Sequence, residues 1–490
     1  MKSFRKLAAG LMALCIAAPL TALSASALEP PRPKGDVNLD GVFNLSDMVM
    51  FSNYLHGKGN VSDTESADMN GDGGIDVFDY IAMRKELLGM LTSVTQKYQS
   101  SGTVSLCAGI EESHPDGTSI DNGFRQGQAE FALELFKRQI KEDENVLVSP
   151  YSVMQALAMT ANGADGETKK EMEKVLGGLG IDDLDKYLSK WRSGQPNNEK
   201  CKLLTANSVW VRDNESLINP QPTFIQNVVD YFGADVFKAP FDNSTVSDIN
   251  SWVSDNTDKM IPEMLDSLSA EDMMVLVNAV TFDAEWEQKY DPYSVTKYNF
   301  TAYDGTKNSV RMLTGMEYTY LEDENAAGVM KYYKGGDYAF LAMLPNEGVS
   351  VTDYVNSLTV EKMADLYEHK EQTMVITGIP KFKYDSDMML KDTLIDMGME
   401  TAFDVNNADF TNMAADDSLP LCIGDVIHKT HIELDELGTR AAAATAVVMK
   451  GGAMAVDREV ILDRPFVYAI VDTKAGLPVF MGTVMEIEEE

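Results

Sequence analysis

Two short stretches carry the residue types of a cation site. Residues Asp36 to Asp47 read DVNLDGVFNLSD, and the pattern recurs thirty-two positions later as DMNGDGGIDVFD, Asp68 to Asp79. Calcium takes six to eight oxygen ligands, and a twelve-residue loop supplies them from positions 1, 3, 5, 7, 9 and 12, with glycine at 6 for the sharp turn. The first loop offers Asp36, Asn38, Asp40, the Val42 carbonyl, Asn44 and Asp47 around Gly41. The second offers Asp68, Asn70, Asp72, the Gly74 carbonyl, Asp76 and Asp79 around Gly73. A pair of solvated acidic turns is the plain alternative, but two complete ligand sets in tandem exceed what an acidic composition supplies by chance. Two bound Ca2+ ions are expected.

Each loop runs into an apolar-periodic stretch, MVMFSNYLHG or YIAMRKELLG, that ends at Gly57 or Gly89 as a helix C-cap should. The expectation is a small all-α module of two loop-helix repeats. Position 12 is Asp where the standard EF-hand has Glu, and no entering helix precedes either loop. With these features, residues 35–90 resemble a type I dockerin, the module by which secreted enzymes of anaerobic bacteria dock onto scaffoldin cohesins. The resemblance implies that positions 10 and 11 of each loop face the cohesin: Leu45 and Ser46, then Val77 and Phe78. For Leu45 and Val77, packing between the two helices is the competing reading. Because the two pairs differ, one dominant cohesin-binding face is expected.

The flanking sequence sets the compartment. Lys2, Arg5 and Lys6, an apolar run from Leu7 to Leu23 and the small-residue site Ala25-Ser26-Ala27 read as a secretory signal peptide, residues 1–27. Its removal takes the formal charge from −36 to −39, which repels phosphates and anionic headgroups, so nucleic acid and membrane are not expected partners. The protein should be secreted and extracellular. Cys107, Cys201 and Cys422 remain, an odd and scattered set that makes no disulfide framework. Residues 91–122, rich in Ser, Thr, Gly and Gln, read as a linker in which Cys107 and Ile110 find some packing.

Residues 123–490 alternate helical and strand-like periodicities as one large mixed domain. They contain no G-x-S-x-G elbow, H-E-x-x-H, P-loop or G-x-G-x-x-G, and the five histidines are scattered. No catalytic residues are assigned. An ordered set of segments instead resembles the serpins: FALELFK, NVLVSPYSVMQALAMTANGADGET, INSWVSDNTDKMI, LVNAVTFDAEW, IPKFKYD, LKDTLIDMGMETAF, IHKTHIELDELGTRAAAATAVV and DRPFVYAIV with PVFMGTV. The resemblance implies an α+β fold of three β-sheets and about nine helices with an exposed reactive-centre loop. Carried over position by position, Ser149, Ser152, Asn278 and His428 fall on the polar shutter beneath the main sheet. Glu436 and Lys381 fall on an ion pair near Trp286, where the loop enters the sheet.

In this family a target serine protease attacks the loop and forms an acyl-enzyme, and the cut loop then inserts as a central strand that distorts the protease. A strand threading between formed neighbours needs small inward side chains. With Gly438 as the fifteenth residue before the cut, Thr439, Ala441, Ala443, Thr445 and Val447 face inward, and Arg440, Ala442 and Ala444 face solvent. Counting seventeen residues from Glu436 puts the scissile bond at Gly452-Ala453; counting back from Pro465 puts it at Met454-Ala455. Gly452 is favoured because insertion depth is measured from the hinge, and a small residue before the cut suits a subtilisin-like or elastase-like protease. The implied function is a suicide-substrate inhibitor, anchored to a cohesin-bearing scaffoldin of a cellulosome that it protects. A non-inhibitory serpin-fold module on the same scaffold is the alternative, and a carbohydrate-active enzyme lacks recognisable paired carboxylates.

Overall fold

Side-chain caps decide where the long helices start. Asp121 accepts from Phe124 N and opens Asn122–Gln139, Ser149 accepts from Ser152 N and opens Pro150–Ala161, and Asp242 accepts from Ser244 N and opens Asn243–Asn256. Pro150 sits at the first helical turn, where its missing N–H costs nothing. The computed structural model describes residues 34–39, 43, 45–61, 64–69, 73–77, 79–80, 82–84, 101–107, 110, 113, 117–414, 420–424, 426–439 and 458–488. The chain divides into two units, Met1–Ser100 and Ser101–Glu490.

In the larger unit, nine helices among the described residues surround two hydrogen-bonded strand networks. Numbered along the chain, the main sheet holds β1 (Val104–Ser105), β3 (Asn197–Asn198), β4 (Cys201–Arg212), β5 (Asp235–Ala239), β6 (Met274–Glu285), β12 (Phe382–Met389), β13 (Ile427–Leu434) and β14 (Gly438–Thr439). Their order is β1-β5-β4-β6-β14-β13-β12, with β3 paired to β4. The second network holds β2 (Val146–Val148), β7 (Val295–Thr301), β8 (Lys307–Glu322), β9 (Ala326–Tyr332), β10 (Tyr338–Pro345), β11 (Glu371–Pro380), β15 (Arg458–Ile461), β16 (Phe466–Asp472) and β17 (Leu477–Val484). Its order is β15-β11-β8-β9-β10-β16-β17-β2, with β7 on β8. The 16-residue β8 pairs with β7 and β11 along most of its length and with β9 only at its end, so two of the three expected sheets share one strand.

Burial follows the sequence pattern. In β13, His428, Thr430, Ile432 and Leu434 are buried while the residues between them are only partly covered, the period-2 alternation of a strand with one face on the core. Every residue of β17 is buried, as in a central strand covered on both faces. Eleven of the 12 residues of Pro150–Ala161 are buried, so this helix runs through the core beneath the main sheet. The three cysteines are free thiols.

The linker assignment needs correcting from Ser101 onward. β1 pairs antiparallel with β5 at the sheet edge, Leu106 N donates to the Val236 carbonyl at 2.7 Å, and Thr103 is buried with its hydroxyl 2.7 Å from Asp248. Further on, Ser113 donates twice to the Asp230 carboxylate, at 2.8 and 2.7 Å, and Thr118 N donates to the Lys186 carbonyl. The segment is held by backbone and hydroxyl groups and by a two-residue ladder, which leave no apolar periodicity to read.

The smaller unit has its own core of Val37, Phe43, Met48, Phe51, Ala67 and Met83. Helix Leu45–Leu55 ends in a turn with Gly57 at φ 68°, and helical backbone follows the second loop at Val77, Asp79, Tyr80 and 82–84. Phe51 stacks on Tyr80 with ring centroids 6.1 Å apart, which ties the two repeats together. One expectation changes: a single helical turn, Thr64–Ala67, does precede the second loop.

Candidate functional site

Among the described residues no ladder joins β6 to β13 directly; only Gly438 and Thr439 of β14 lie hydrogen-bonded between them. Gly438 pairs with Glu285 and Thr439 with Ala284 and Leu434. A Cβ at Gly438 would stand 2.0 Å from the Ala284 carbonyl oxygen, so only glycine lets the chain slip in at this point. Thr439 is buried, and its hydroxyl meets the Tyr333 hydroxyl at 2.6 Å. Tyr333 in turn stacks on Trp286 at 4.4 Å.

Just before this rung the backbone is gripped at three consecutive carbonyls. The Trp286 indole Nε1–H donates to Asp435 at 2.8 Å, Tyr290 N to Glu436 at 3.0 Å and Trp286 N to Leu437 at 2.8 Å. The Asp435 carboxylate accepts from Leu437 N and Gly438 N, which closes the turn from β13 into β14. Glu436 lies 2.8 Å from Lys381 Nζ, a charge contact between half-buried groups beside this turn. The sequence reading thus finds Trp286, Lys381, Glu436, Gly438 and Thr439 in one place. Arg440, Ala441, Ala442, Ala443, Ala444, Thr445, Val447 and both proposed scissile pairs, Gly452-Ala453 and Met454-Ala455, lie outside the described residues.

Lower in the sheet, the four shutter residues converge. Ser149 N donates to His428 Nε2 at 2.9 Å, Ser149 Oγ donates to the Val479 carbonyl at 2.7 Å, and the Ser152 hydroxyl donates to Asn278 Oδ1. All four side chains are buried. Asn278 also donates to Asn207 Oδ1, and Asn207 to the Phe232 carbonyl at 2.8 Å. Asn207 of β4 and Tyr333 were not picked out from the sequence, because their role exists only through cross-strand pairing and no local pattern announces it. Each buried polar group here has a partner, the condition under which such a cluster is tolerated. The cluster bridges β6, through Asn278, to β13, through His428, by way of the Ser149 cap.

His428 must be neutral to accept a proton from Ser149 N, and burial pushes its pKa down from 6.5 to about 4. A protonated imidazole would place a donor against a donor.

In the smaller unit, Asp36, Asp47 and Asp79 are fully buried. Asp47 at position 12 accepts from Val37 N and Asn38 N at 3.0 and 3.1 Å, Asp79 accepts from Asp76 N at 3.0 Å, and Asp68 accepts from Gly73 N at 2.9 Å, with Gly73 at φ 84°. These bonds fold each loop around its own acidic ends. Buried carboxylates are costly unless a cation meets them, and an all-oxygen set suits calcium. Among the described residues alone no three acidic, His or Cys side chains converge as a metal centre. Asp40, Val42, Asn44, Asn70, Asp72 and Phe78 lie outside the described residues; Leu45 and Ser46 begin the first helix, and Val77 is exposed.

The family model "Serpin (serine protease inhibitor)" matches residues 126–487, and "Dockerin type I domain" matches 34–88. An uncharacterized serpin-like protein of Methanosarcina acetivorans is 30% identical over 371 residues, covering 74% of this chain and 85% of that relative. Intracellular coagulation inhibitor 2 of Tachypleus tridentatus is 28% identical, covering 73% and 90%. Among solved structures, the native state of the thermophilic serpin tengpin superposes with TM-score 0.75 at 44% identity, over 79% of this chain and all of that one. Its latent state gives TM-score 0.68 at 42% identity, over 76% and 100%. The fold is therefore the α+β fold of the serpins. The chain belongs to the serpin family and carries a type I dockerin domain, a domain type that binds calcium.

A pH dependence follows from His428. Between pH 6.5 and about 4 the unfolded imidazole takes a proton that the folded one refuses, so this contribution is full above pH 6.5 and is lost as pH falls. It amounts to something on the order of 3 kcal/mol. Thermal unfolding between pH 7 and 4.5 should show a steeper acid-side loss in the wild-type protein than in H428Q; parallel profiles would contradict the assignment.

Proposed function

We propose that the protein is a secreted suicide-substrate inhibitor of serine proteases, held by its dockerin on a cohesin-bearing scaffoldin, where it shields a cellulosome from proteolysis. The observation that carries this reading is the seam between β6 and β13, in which, among the described residues, Gly438 and Thr439 are the strand that lies between them. Gly438 and Thr439 start the loop at the top of this seam, and the contacts between its flanks at mid-height are hydrogen bonds that a new strand can replace.

In the proposed sequence, the protease serine attacks the carbonyl of Gly452 or Met454 and the peptide bond breaks, leaving the enzyme esterified to the loop. Release of the new amino terminus, Ala453 or Ala455, frees the loop to continue from Thr439 down the seam with Ala441, Ala443, Thr445 and Val447 inward. The polar cluster of Ser149, Ser152, Asn278 and His428 must part for it. Insertion ahead of deacylation leaves the ester intact. The residue before the cut suits subtilisin-like or elastase-like proteases. In the dockerin, two Ca2+ ions would be held by the loop oxygens named above, and their charge lets the buried carboxylates keep the loops folded. One dominant cohesin face is drawn from Leu45 and Ser46 or from Val77 and Phe78, and of these Val77 is exposed at 52%. No helix among the described residues is long and apolar enough to cross a membrane.

Incubation with a subtilisin-like or elastase-like protease should yield a covalent complex that survives SDS, with the released C-terminal peptide beginning at Ala453 or Ala455 by mass spectrometry. Clean cleavage with no complex would replace this reading by the non-inhibitory one, and a cut after Lys450 would overturn both bond assignments. Chelation with EGTA should abolish cohesin binding and leave protease inhibition within about twofold. Cohesin binding unchanged by EGTA would contradict the calcium role.

A further inference from the structure

Behind the gripped turn lies a buried cation with no part in the scheme above. Lys331, on β9, is 3% exposed, yet its ammonium sits 5.3 Å from the Trp286 ring centroid and 4.4 Å from that of Tyr290. Its hydrogen-bonding partners are Glu317 Oε1 at 2.5 Å and the Gln288 carbonyl at 3.0 Å. Glu317 comes from β8, whose Gly315 makes room for the other ring: a Cβ there would stand 2.9 Å from Tyr290 Cε1. Trp286 and Tyr290 are the two residues that hold the carbonyls of Asp435, Glu436 and Leu437.

We propose that Lys331 is a positioning residue for the reactive-loop hinge: its ammonium, fixed by Glu317 and the Gln288 carbonyl, locks the Trp286 and Tyr290 rings, which keeps the indole N–H on the Asp435 carbonyl and the backbone N–H groups of the same two residues on the Leu437 and Glu436 carbonyls. The chemistry is specific. A cation attracts the electron-rich faces of two aromatic rings at once and draws more from them when water is excluded. A stability role alone is poorly served by this arrangement. Burial pushes the Lys331 ammonium down and the Glu317 carboxyl up, so both charges are held against desolvation. An apolar pair of the same volume would hold the core at least as well. What an apolar pair lacks is orientation. With the rings fixed, the indole N–H stays aimed at Asp435 and the first rung, Gly438 and Thr439, stays seated at the entrance of the seam. The loop then starts insertion from a formed rung.

The test compares K331M/E317L, which removes the cation without stranding its partner, with E317Q, which keeps the ammonium and an acceptor for it. Thermal unfolding checks that both are folded. Hydrogen exchange of the Trp286 indole, followed by NMR in protein labelled at its 4 tryptophans, reads the grip directly. In K331M/E317L exchange should accelerate about tenfold, as for a local opening, while E317Q stays near wild type. The inhibitor-to-protease ratio needed for full inhibition should rise about fivefold in the double variant only, the scale of a lost desolvated cation–π contact. Unchanged exchange in the double variant, or equal acceleration in both variants, would overturn the role. The second readout rests on the inhibitory reading. A wild-type protein that forms no covalent complex sinks that reading, and the indole exchange then decides this one alone.

Discussion

The seam between β6 and β13 is closed by polar side chains where a sheet is ordinarily closed by a ladder. Ser149, Ser152, Asn278 and His428 link its two sides by hydrogen bonds, and among the described residues the strand within it is two residues long. Hydrogen bonds suit such a seam because they are directional and exchangeable: a buried donor that loses one acceptor is costly, but one that trades it for another is nearly indifferent. Interlocked apolar side chains have no such exchange, since a strand driven between them must displace volume from a close-packed core.

The rest of the larger unit serves that constraint. Helix Pro150–Ala161 carries two of the bonding serines at its start, so the cap that begins the helix is also the latch on the sheet. At the upper end, steric and electrostatic precision replace exchangeability. Gly438 permits an approach no side chain could make, the carbonyls of the turn are held by Trp286 and Tyr290, and those rings rest on a buried ammonium. In the proposed insertion, a loose middle and a fixed entrance give the loop one place to begin.

Much of this was legible in the sequence, for physical reasons that differ by region. The calcium loops repeat a ligand spacing that follows from ion coordination, and the helix caps and the alternation of IHKTHIEL are local. The shutter and entrance residues were reached through resemblance, and the structure brings them together. The described residues between Ser101 and Thr118 escape a sequence reading because two-residue pairing and hydroxyl bonds leave no hydrophobic period. Asn207, Tyr333, Lys331 and Glu317 were invisible because each acts only through a neighbour distant along the chain. Lys331 in particular, in VMKYY, carries the residue type that surface statistics place in solvent, and only the rings of Trp286 and Tyr290 show why it is inside.

On the proposed function, the native sheet accepts the cut loop as an added central strand. Differential scanning calorimetry of the purified protein before and after a single nick between Val447 and Arg458 tests this most directly. Insertion of the freed segment should raise the melting temperature by an amount on the order of 20 °C or more. A nicked protein that melts at or below the temperature of the intact one would contradict the account.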